Sequence, residues 1–381
     1  MDFAFNEQET LVRDMARNFA ESELMPRASK MDRQGHLDAD LFGKLAELGL
    51  WGLTIPEAYG GAGMGNSELA IVLEEVNRAC ASTGVTLSVH NSLLGAPILK
   101  FGTEEQKRRW LPELASGARI GSYCLTEPNA GSDAAALSTT ARQDGDSWIL
   151  DGTKIWVTNG GICGLMIVYA RTDPKASKAK GISAFIVPKE TPGITVGKAE
   201  KKCGIRASST TEILFDSVRL PKDALLGPLH GGFPIAMDTL DGGRIGIASQ
   251  AVGIARACIE AAAKYAKERE QFGQPIGNFQ AIQWKLADMS CQIDAARLLV
   301  QRAAWLRDRG ERCTQAAAQA KLTASRVANF CADECLQIHG GAGYTDHFHV
   351  ERLFRDARIT EIYEGATDIQ RLVIARGLLA P

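Results

Sequence analysis

The sequence predicts an α+β protein, mostly α-helical, in which a helical domain, a β domain and a second helical domain follow one another. Three changes of pattern lead to this prediction. Residues 6–113 carry apolar side chains at helical spacing. Residues 121–226 form short β-prone runs bounded by Gly, Pro or charged residues. From Gly232 onward, long helical segments return. The predicted domains are residues 1–120, 121–228 and 229–381.

The first domain begins with the segment NEQETLVRDMARNFAESEL. Asn6 is expected to cap its first helix, with Glu9 three residues later in the pattern of a capping box. The apolar residues expected on one face of this helix are Leu11, Val12, Met15 and Phe19. The segment DADLFGKLAELGLWG predicts another helix, which ends at Gly49.

The second domain is predicted to consist of strands. In SWILDGTKIWVTNGG, two β-prone runs surround Asp151 and Gly152, which is a strong signal for a hairpin. The segments LMIVYART, GISAFIVPK and TEILFDSVRLP predict further short strands. Because no helical segment intervenes, we expect a small antiparallel barrel or sandwich.

The third domain is predicted to be a bundle of long helices. The segment GRIGIASQAVGIARACIEAAAKYAKERE is rich in small residues, which suit close helix packing. A second helix, QAIQWKLADMSCQIDAARLLVQRAAWLRDRG, is expected to end at Gly310. A third, TQAAAQAKLTASRVANFCADECLQIHGG, should end at Gly340 and Gly341, and a last helix runs to the C-terminus.

Composition and charge argue against several classes of function. Of 381 residues, 45% are hydrophobic and 23% are charged, as in ordinary globular proteins. The net charge of −2 argues against a nucleic-acid or membrane-surface binder, because both need a large positive excess. The nine cysteines and six histidines show no disulfide framework and no metal spacing. We expect no metal, no secretory signal in MDFAFNEQET, no membrane span and a cytoplasmic location.

Two motifs near the strands could contact a ligand. In YCLTEPNAGSDAAALSTTA, Thr126 and Ser132 offer hydroxyl groups in a turn-rich loop that could hold a flat, polar-edged ring or a phosphate. The alternative is an ordinary surface turn. In KIWVTNGG, strand alternation predicts Trp156 and Thr158 on one face, where they could cover a fused aromatic ring. The alternative for Trp156 is a core position.

Two motifs of the third domain also have two interpretations. In EREQFGQPIGNFQ, Arg269 and Phe272 lie at a helix end and Gln280 follows a Gly/Pro loop. The arginine could pair with a pyrophosphate or be a surface residue. In QIHGGAGY, glycines after Gln337 could admit a ligand to the backbone or simply end the helix. No G-x-G-x-x-G follows a strand, so a nicotinamide dinucleotide fold is not supported.

The segment ITEIYEGATDIQR places Glu364 between a tyrosine and a glycine, close to the end of the helical tail. One interpretation is a surface charge beside a helix-ending glycine. The other is a catalytic base presented on a bend.

Six motifs, in this order, resemble the acyl-CoA dehydrogenase family over essentially the whole chain: YCLTEPNAGSD, KIWVTNGG, GIRASSTTEILFDSVRLP, EREQFGQPIGNFQ, QIHGGAGYTDHFHVERLFRDARI and YEGATDIQRLVIAR. The segments ACASTGVTLSVHNSLLGAPILKFGTEEQK and LDGGRIGIASQAVGIA are most similar to its short-chain (butyryl-CoA) branch. The resemblance implies an N-terminal helical domain, a middle antiparallel β-barrel and a C-terminal four-helix bundle. It also implies bound FAD, a homotetramer whose subunits complete each other's flavin sites, and electron transfer to an electron-transfer flavoprotein.

The resemblance assigns roles to individual residues. Glu364 matches the catalytic base, whereas Gly243, where some branched- and long-chain relatives carry theirs, has no carboxylate. The residues expected around the flavin ring are Tyr123, Leu125, Thr126, Ser132, Trp156, Val157 and Thr158. Those expected at the ADP half of a neighbour's FAD are Arg269, Phe272, Gln280, Gln337, Gly340 and Gly341. Further expected FAD contacts are Ala366, through its backbone, Thr367 and Asp368. The expected substrate contacts are Ser132, Asp241, Arg244, Tyr363 and Gly365.

The implied reaction is α,β-dehydrogenation of a short-chain acyl-CoA thioester to the trans-2-enoyl-CoA. Glu364 would remove the α-proton, helped by desolvation that raises its pKa. Flavin would take the β-hydride, because that hydride leaves an unactivated carbon. The alternatives on the same scaffold are dehydrogenases of branched, cyclic or aromatic acyl-CoA substrates, acyl-CoA oxidases and flavin monooxygenases. A non-catalytic helical scaffold without flavin is a remote alternative.

Overall fold

The computed structural model describes residues 4–379; residues 1–3 and 380–381, which belong to the first and third predicted domains, lie outside the described part. The helices of the first region are α1 (Glu7–Phe19), α2 (Ala28–Gln34), α3 (Asp40–Glu47), α4 (Asn66–Ala79), α5 (Ala81–Ser88), α6 (Ala96–Phe101) and α7 (Glu104–Ala115). Two π-helical stretches, Ala20–Leu24 and Val89–Gly95, continue α1 and α5. Short 3₁₀ turns lie at Leu50–Gly52 and Glu57–Tyr59.

Helix α1 begins as the sequence predicts. Asn6 Oδ1 accepts a hydrogen bond from Glu9 N, and Glu9 Oε2 accepts one from Asn6 N, both at 2.8 Å, so the capping box is confirmed. Leu11, expected on the buried face, is 66% exposed, because it lies about 100° around the helix from Val12. The buried stripe consists of Val12, Ala16 and Phe19. Gly49, with φ 67°, follows α3 at the predicted end.

The strands of the middle region are β1 (Gly121–Cys124), β2 (Thr140–Asp144), β3 (Ser147–Thr158), β4 (Leu165–Arg171), β5 (Ile182–Pro188), β6 (Ile194–Val196), β7 (Thr210–Pro221) and β8 (Leu225–Leu226). The strands predicted in LMIVYART, GISAFIVPK and TEILFDSVRLP are confirmed as β4, β5 and β7. Short 3₁₀ turns lie at Ala134–Ala136 and Lys222–Ala224.

These strands form one mixed sheet, which corrects the prediction of purely antiparallel pairing. Their order is β6-β7-β3-β2-β4-β5-β8, and β1 pairs with β4 off this path. The β1–β4 pairing and the single β2–β4 pair are parallel. Parallel pairing is possible here because a long stretch of chain, rather than a tight turn, connects each pair of strands. Within the described residues no pairing joins β6 to β8, so a closed barrel is not confirmed.

The hairpin predicted at Asp151 and Gly152 is wrong. Strand β3 runs through both residues, and the turn from β2 lies at Gly145, whose φ is 59°. Gly152 marks a β-bulge against β7 instead. Its φ is 149°, and a Cβ there would lie 2.5 Å from Thr139 Oγ1, so the glycine allows a close approach rather than a turn.

The third region contains α8 (Gly232–Glu268), α9 (Gln280–Asp308), α10 (Thr314–His339), α11 (Val350–Ile359) and α12 (Thr367–Leu379). A hairpin of β9 (Glu270–Gln271) and β10 (Gln274–Pro275), followed by a 3₁₀ turn at Ile276–Asn278, joins α8 to α9, and another 3₁₀ turn, Gly340–Ala342, follows α10. Helix α8 packs against α10, α9 and α4, while α11 and α12 pack against α10. The predicted C-terminal helical region is therefore confirmed.

Helix α8 lies at the centre of this packing. By length and composition alone it could cross a membrane, although no membrane span was expected from the sequence. Of its most apolar window, 78% is buried inside the protein. Packing of the helix within the core accounts for its apolar character.

Candidate active site

Glu364 lies on a bend between α11 and α12 that has an unusual backbone. Its φ is 53° and that of Gly365 is 90°, so two consecutive residues are left-handed. For a residue with a side chain, such a conformation costs roughly 1–3 kcal/mol and persists only where surrounding contacts enforce it. A Cβ on Gly365 would lie 2.5 Å from Gln370 Nε2, so this position excludes a side chain.

Two buried side chains hold the bend by its carbonyl oxygens. Gln370, in the first half of α12, donates from Nε2 to Glu364 O at 3.1 Å and to Gly365 O at 2.7 Å. Lys321 of α10 donates from Nζ to the same Gly365 O at 2.8 Å. Both side chains are fully buried. The fold, rather than local preference, therefore sets the direction of the Glu364 side chain.

Glu364 is half-buried as a residue, but its Oε2 is fully buried and has no hydrogen-bond partner. Burial raises the pKa of Glu364 to about 7, although the positive charges of Arg244 and Lys321 oppose the rise. A base is most effective when its pKa lies near the working pH. This group can therefore exchange a proton at neutral pH, which the surface-charge interpretation does not explain.

Gly243 of α8 and Leu93 of the π-helical stretch face this carboxyl group. A Cβ on Gly243 would lie 2.7 Å from Glu364 Oε2 and 2.9 Å from Leu93 Cδ2. Gly243 thus supplies space for the carboxylate, and Leu93 supplies an apolar wall. Neither residue offers a donor, which explains why the oxygen stays unpaired.

Arg244 and Asp241 form a buried pair on the same helix. Arg244 Nη1 donates to Asp241 Oδ1 at 2.6 Å, and Thr314 Oγ1 donates to Asp241 Oδ2 at 2.6 Å. Arg244 Nε is buried and has no partner. Because the Arg244 charge acts on Glu364, the fold brings this expected pair of substrate contacts to the base.

Tyr363 connects the base to α8 and α5. Its hydroxyl group donates to Gln250 Oε1, and Gln250 Nε2 donates to Ala81 O at 3.0 Å. Burial raises the pKa of Tyr363, and the neighbouring Glu364 charge adds to the rise. The result is a neutral polar bridge beside the base, anchored at both ends.

Glu127 holds the loop that follows β1 and carries Thr126 and Ser132. The donors to its carboxylate are Ser138 N (2.6 Å), Ser138 Oγ (2.7 Å), Thr139 N (2.9 Å) and Lys154 Nζ (2.7 Å). Lys154 Nζ also donates to Leu125 O at 3.0 Å. Burial tends to raise the pKa of Glu127, but Lys154 and the other donors lower it to about 2. These bonds fix the two ends of the loop, whereas Ser132 between them is exposed.

Trp156 lies at a second bulge of β3, between residues 154 and 157. Its φ is 56° and it is 60% exposed, whereas Val157 is buried. Thr158 is half-buried, so Trp156 and Thr158 are both more exposed than Val157 between them, and their placement on one face of the strand stays a prediction. The exposure also rules out the core position considered for Trp156. Tyr123, also expected at the ring, is half-buried on β1 and stacks at a tilt on Tyr169, with centroids 5.1 Å apart.

The residues expected to hold the ADP half lie on the surface in two turns. Phe272 occupies the tip of the β9–β10 hairpin with φ 53° and is 93% exposed. At the end of α10, Gly340 has φ 59°, and a Cβ on either Gly340 or Gly341 would meet nothing within 4 Å. The remaining members, also exposed, are Arg269, Gln280 and Gln337. Within residues 4–379 no hydrogen bond joins these side chains to Glu364 or its supports.

Some polar groups of the residues after the base already form hydrogen bonds at the start of α12. Ala366 O accepts hydrogen bonds from Ile369 N at 2.8 Å and Gln370 N at 3.1 Å, so a backbone contact would use its N–H group. Thr367 Oγ1 donates to Glu361 O at 3.2 Å. Asp368 is exposed and pairs with Arg371 at 2.5 Å.

These observations fit a flat ring attached to a phosphate-bearing tail, as in FAD. Trp156 presents an exposed indole from a rigid bulge, beside a loop that Glu127 fixes. Indoles cover planar rings well. Arg269 is exposed and suited to a pyrophosphate.

The site contains four features that were not predicted from the sequence: Lys321, Gln370, Gln250 and the Glu127–Lys154 pair. A signal for Lys321 was present, since it interrupts an alanine stripe at Ala317, Ala320, Ala324 and Ala328 and must share its buried face. Lys154 lies in a β-prone run, where a charge needs a partner. Nothing in the sequence pointed to Gln250 or Gln370.

Comparisons with known proteins identify the family of the chain. The chain matches the sequence profiles described as Acyl-CoA dehydrogenase, N-terminal domain (residues 6–118), middle domain (122–218) and C-terminal domain (230–379). It is 52% identical over 373 residues to the short-chain specific acyl-CoA dehydrogenase, mitochondrial, of Bos taurus, over 98% of this chain and 90% of that protein.

Two solved structures are similar over the full length of both chains. Butyryl-CoA dehydrogenase from Megasphaera elsdenii has a TM-score of 0.97 and 44% identity, with 100% of each chain covered. A structure described as an electron transferring flavoprotein of Acidaminococcus fermentans has a TM-score of 0.98 and 46% identity, again with 100% of each chain covered. With three profiles matched in order and a relative 52% identical, the chain belongs to the acyl-CoA dehydrogenase family.

Proposed function

We propose that the protein is an FAD-dependent dehydrogenase that converts a short-chain acyl-CoA thioester to the trans-2-enoyl-CoA, with Glu364 as the base that removes the α-proton. The observation that carries the proposal is the buried carboxyl group of Glu364, unpaired at Oε2 and held on a left-handed bend. A surface charge would need neither feature.

The bend serves proton removal from a weakly acidic carbon in two ways. It aims the carboxylate into an apolar site, where burial brings its pKa to about 7. It also leaves the Glu364 N–H group without an acceptor among residues 4–379, so this group can donate to the thioester oxygen as negative charge develops there. One donor of this kind is worth about 3–4 kcal/mol. Bound FAD supplies the acceptor for the β-hydride.

The other proposed substrate contacts are Ser132, Asp241, Arg244, Tyr363 and Gly365. Arg244 favours the ionised base, and Asp241 orients Arg244. Gly365 excludes a side chain at the bend, and the exposed Ser132 is proposed to contact the substrate from the loop after β1. The acyl chain is proposed to lie beside Tyr363, whose bridge to Gln250 would then limit its length. The relatives named as short-chain specific and butyryl-CoA dehydrogenases support this choice over branched, cyclic or aromatic substrates.

The cofactor contacts divide into two groups. The flavin ring is proposed to lie against Tyr123, Leu125, Thr126, Ser132, Trp156, Val157 and Thr158, with Ala366, Thr367 and Asp368 nearby. The exposed set of Arg269, Phe272, Gln280, Gln337, Gly340 and Gly341 is proposed to hold the ADP half of a neighbour's FAD in a homotetramer. The high exposure of Phe272 supports a partner at this surface.

Electrons are proposed to leave to an electron-transfer flavoprotein, which the similar chain from Acidaminococcus fermentans supports. The location is proposed to be cytoplasmic. We also propose domain limits of 1–120, 121–228 and 229–381, and a middle sheet that curves as a barrel. The changes from helix to strand at β1 and back at α8 support these limits.

The test is an anaerobic titration of the FAD-loaded protein with butyryl-CoA, following the visible flavin absorbance. We expect stoichiometric bleaching in the wild type and in Glu361→Gln, an acid one turn before the base. Glu364→Gln should bind butyryl-CoA without bleaching. A yellow wild type that bleaches only with branched or cyclic thioesters would contradict the short-chain substrate. A protein that takes up no FAD would contradict the proposed FAD-dependent dehydrogenase activity.

A further inference from the structure

Helix α10 carries a row of hydrogen-bond donors that faces the connection to the base. Lys321, Ser325 and Asn329 follow one another at four-residue spacing, so they share one face of the helix. Each donates to a backbone carbonyl of the segment from α11 to the bend. The bonds are Lys321 Nζ to Gly365 O (2.8 Å), Ser325 Oγ to Thr360 O (2.7 Å) and Asn329 Nδ2 to Ala357 O (3.1 Å).

Lys321 differs from the other two donors because it is charged. It is fully buried, and its contact is a carbonyl oxygen adjacent to the base rather than the carboxylate. An ammonium group in such a place is costly unless a nearby negative charge compensates it. The charges that act on it are those of Glu364 and Glu361, which favour its protonated form, and of Arg244, which opposes it.

We propose that Lys321 is a positioning residue for the base: its ammonium group fixes the Glu364–Gly365 bend through the Gly365 carbonyl and stabilises the ionised form of Glu364. The inference rests on the proposed role of Glu364. Because Lys321 binds the carbonyl, it stabilises the negative charge of Glu364 without occupying the oxygen that must accept a proton.

The titration of both groups is consistent with this arrangement. Burial lowers the pKa of Lys321 to about 8, against the pull of Glu364 and Glu361, and burial raises that of Glu364 to about 7. The groups that face Glu364 are Arg244 of α8, Lys321 of α10, Tyr123 of β1 and its own neighbour Tyr363. Only Arg244 and Lys321 among them carry positive charge, so removal of Lys321 must favour protonated Glu364.

The experiment measures the titration of Glu364 directly in the FAD-loaded protein without acyl-CoA. The carbonyl stretch of protonated Glu364 is identified in the infrared by its loss in Glu364→Gln. The intensity of this band is followed against pH. The pH midpoint of the Glu364 titration is then compared in the wild type, Lys321→Met, Lys321→Gln and Lys321→Arg. Ser325→Ala removes a neutral donor of the same row, and Lys30→Met removes an exposed surface charge that pairs with Asp38.

We expect the midpoint to rise by about one pH unit in Lys321→Met and Lys321→Gln, and to return towards the wild-type value in Lys321→Arg. Ser325→Ala and Lys30→Met should leave it unchanged. The rate of bleaching by butyryl-CoA at pH 7 should fall about fivefold in Lys321→Met and recover at higher pH, with butyryl-CoA affinity within about twofold of the wild type.

A wild-type midpoint in a folded, yellow Lys321→Met would overturn the proposal. If that variant does not fold, Lys321→Gln, which keeps an N–H donor but no charge, decides in the same way. If the wild type is not bleached but the midpoint still depends on Lys321, the proposed function fails while this inference stands.

Discussion

The Cα of Gly243 and the carboxylate of Glu364 face each other so closely that a Cβ on Gly243 would lie 2.7 Å from Glu364 Oε2. Real side chains do not approach to this distance without displacement. Gly243 lies on α8 and Glu364 on the bend before α12. Because Gly243 has no side chain, the carboxylate of Glu364 can occupy the space beside it.

Gly243→Ala should therefore lower the rate of butyryl-CoA oxidation by about 100-fold. The added methyl group must push the Glu364 carboxylate out of position, and a small misplacement of a catalytic group is enough for such a loss. The thermal midpoint should change little, since alanine favours the helix. The matched control is Gly242→Ala, whose Cβ would meet only the flexible guanidinium of Arg307 at 3.3 Å. Equal rates for the two variants in rapid-mixing experiments would contradict this geometry.

The raised pKa of Glu364 predicts how stability depends on pH. The folded pKa of about 7 lies above the ordinary value of 4.5, so the folded state binds this proton more tightly than the unfolded state. The contribution of Glu364 is fully present below pH 4.5 and is lost as pH rises through 7. Glu364→Gln should therefore melt a few degrees above the wild type at pH 8, but not at pH 5. If the difference in melting temperature between the two proteins were the same at pH 5 and pH 8, the pKa of Glu364 would not be raised.

The bridge from Tyr363 to Gln250 predicts an effect on chain length. Gln250→Ala removes a buried amide beside the base and opens space, so the ratio of kcat/KM for hexanoyl-CoA to that for butyryl-CoA should rise roughly tenfold. Tyr363→Phe is the control, because it breaks the same hydrogen bond without making space. If both variants changed the ratio equally, the hydrogen bond rather than the volume would set the preference.

The Lys154–Glu127 pair predicts a large loss of stability when only one partner is removed. Both side chains are buried, with Nζ and Oε1 2.7 Å apart, so either single change leaves an uncompensated charge. Lys154→Met should lower the free energy of unfolding by about 3–5 kcal/mol and weaken FAD retention, because the loop carrying Thr126 and Ser132 loses its anchor. The double variant Lys154→Met/Glu127→Leu should be more stable than Lys154→Met alone. Denaturant unfolding measures both, and additive losses would contradict a coupled pair.

The exposed side chain of Phe272 allows a test of the proposed homotetramer. It is 93% exposed within one chain, so Phe272→Ala should leave the unfolding of an isolated subunit nearly unchanged. If a neighbour covers this surface, the variant should dissociate or lose FAD on dilution. Sedimentation velocity and flavin fluorescence at falling concentration report these effects, with Trp284→Ala, another exposed aromatic residue of the bundle, for comparison. No difference between Phe272→Ala and the wild type would argue against a contact there.

The sequence by itself determined the order of the helical and β regions, the capping box at Asn6 and the identity of the family. These features depend on local periodicity, on caps and on the ordered set of motifs, all of which can be read along one chain. It also pointed to Glu364, because a carboxylate before a glycine stood inside one of those motifs.

The tertiary structure decided the rest, because those features depend on contacts between residues far apart in sequence. The turn expected at Gly152 became a bulge once β3 had to pair with β7, and Trp156 became exposed at a second bulge. The left-handed bend at Glu364 is stable only because α10 and α12 supply donors to its carbonyls. Desolvation of the carboxyl group, and hence its raised pKa, required Gly243 and Leu93 to be brought beside it, since burial is a property of packing and not of residue order.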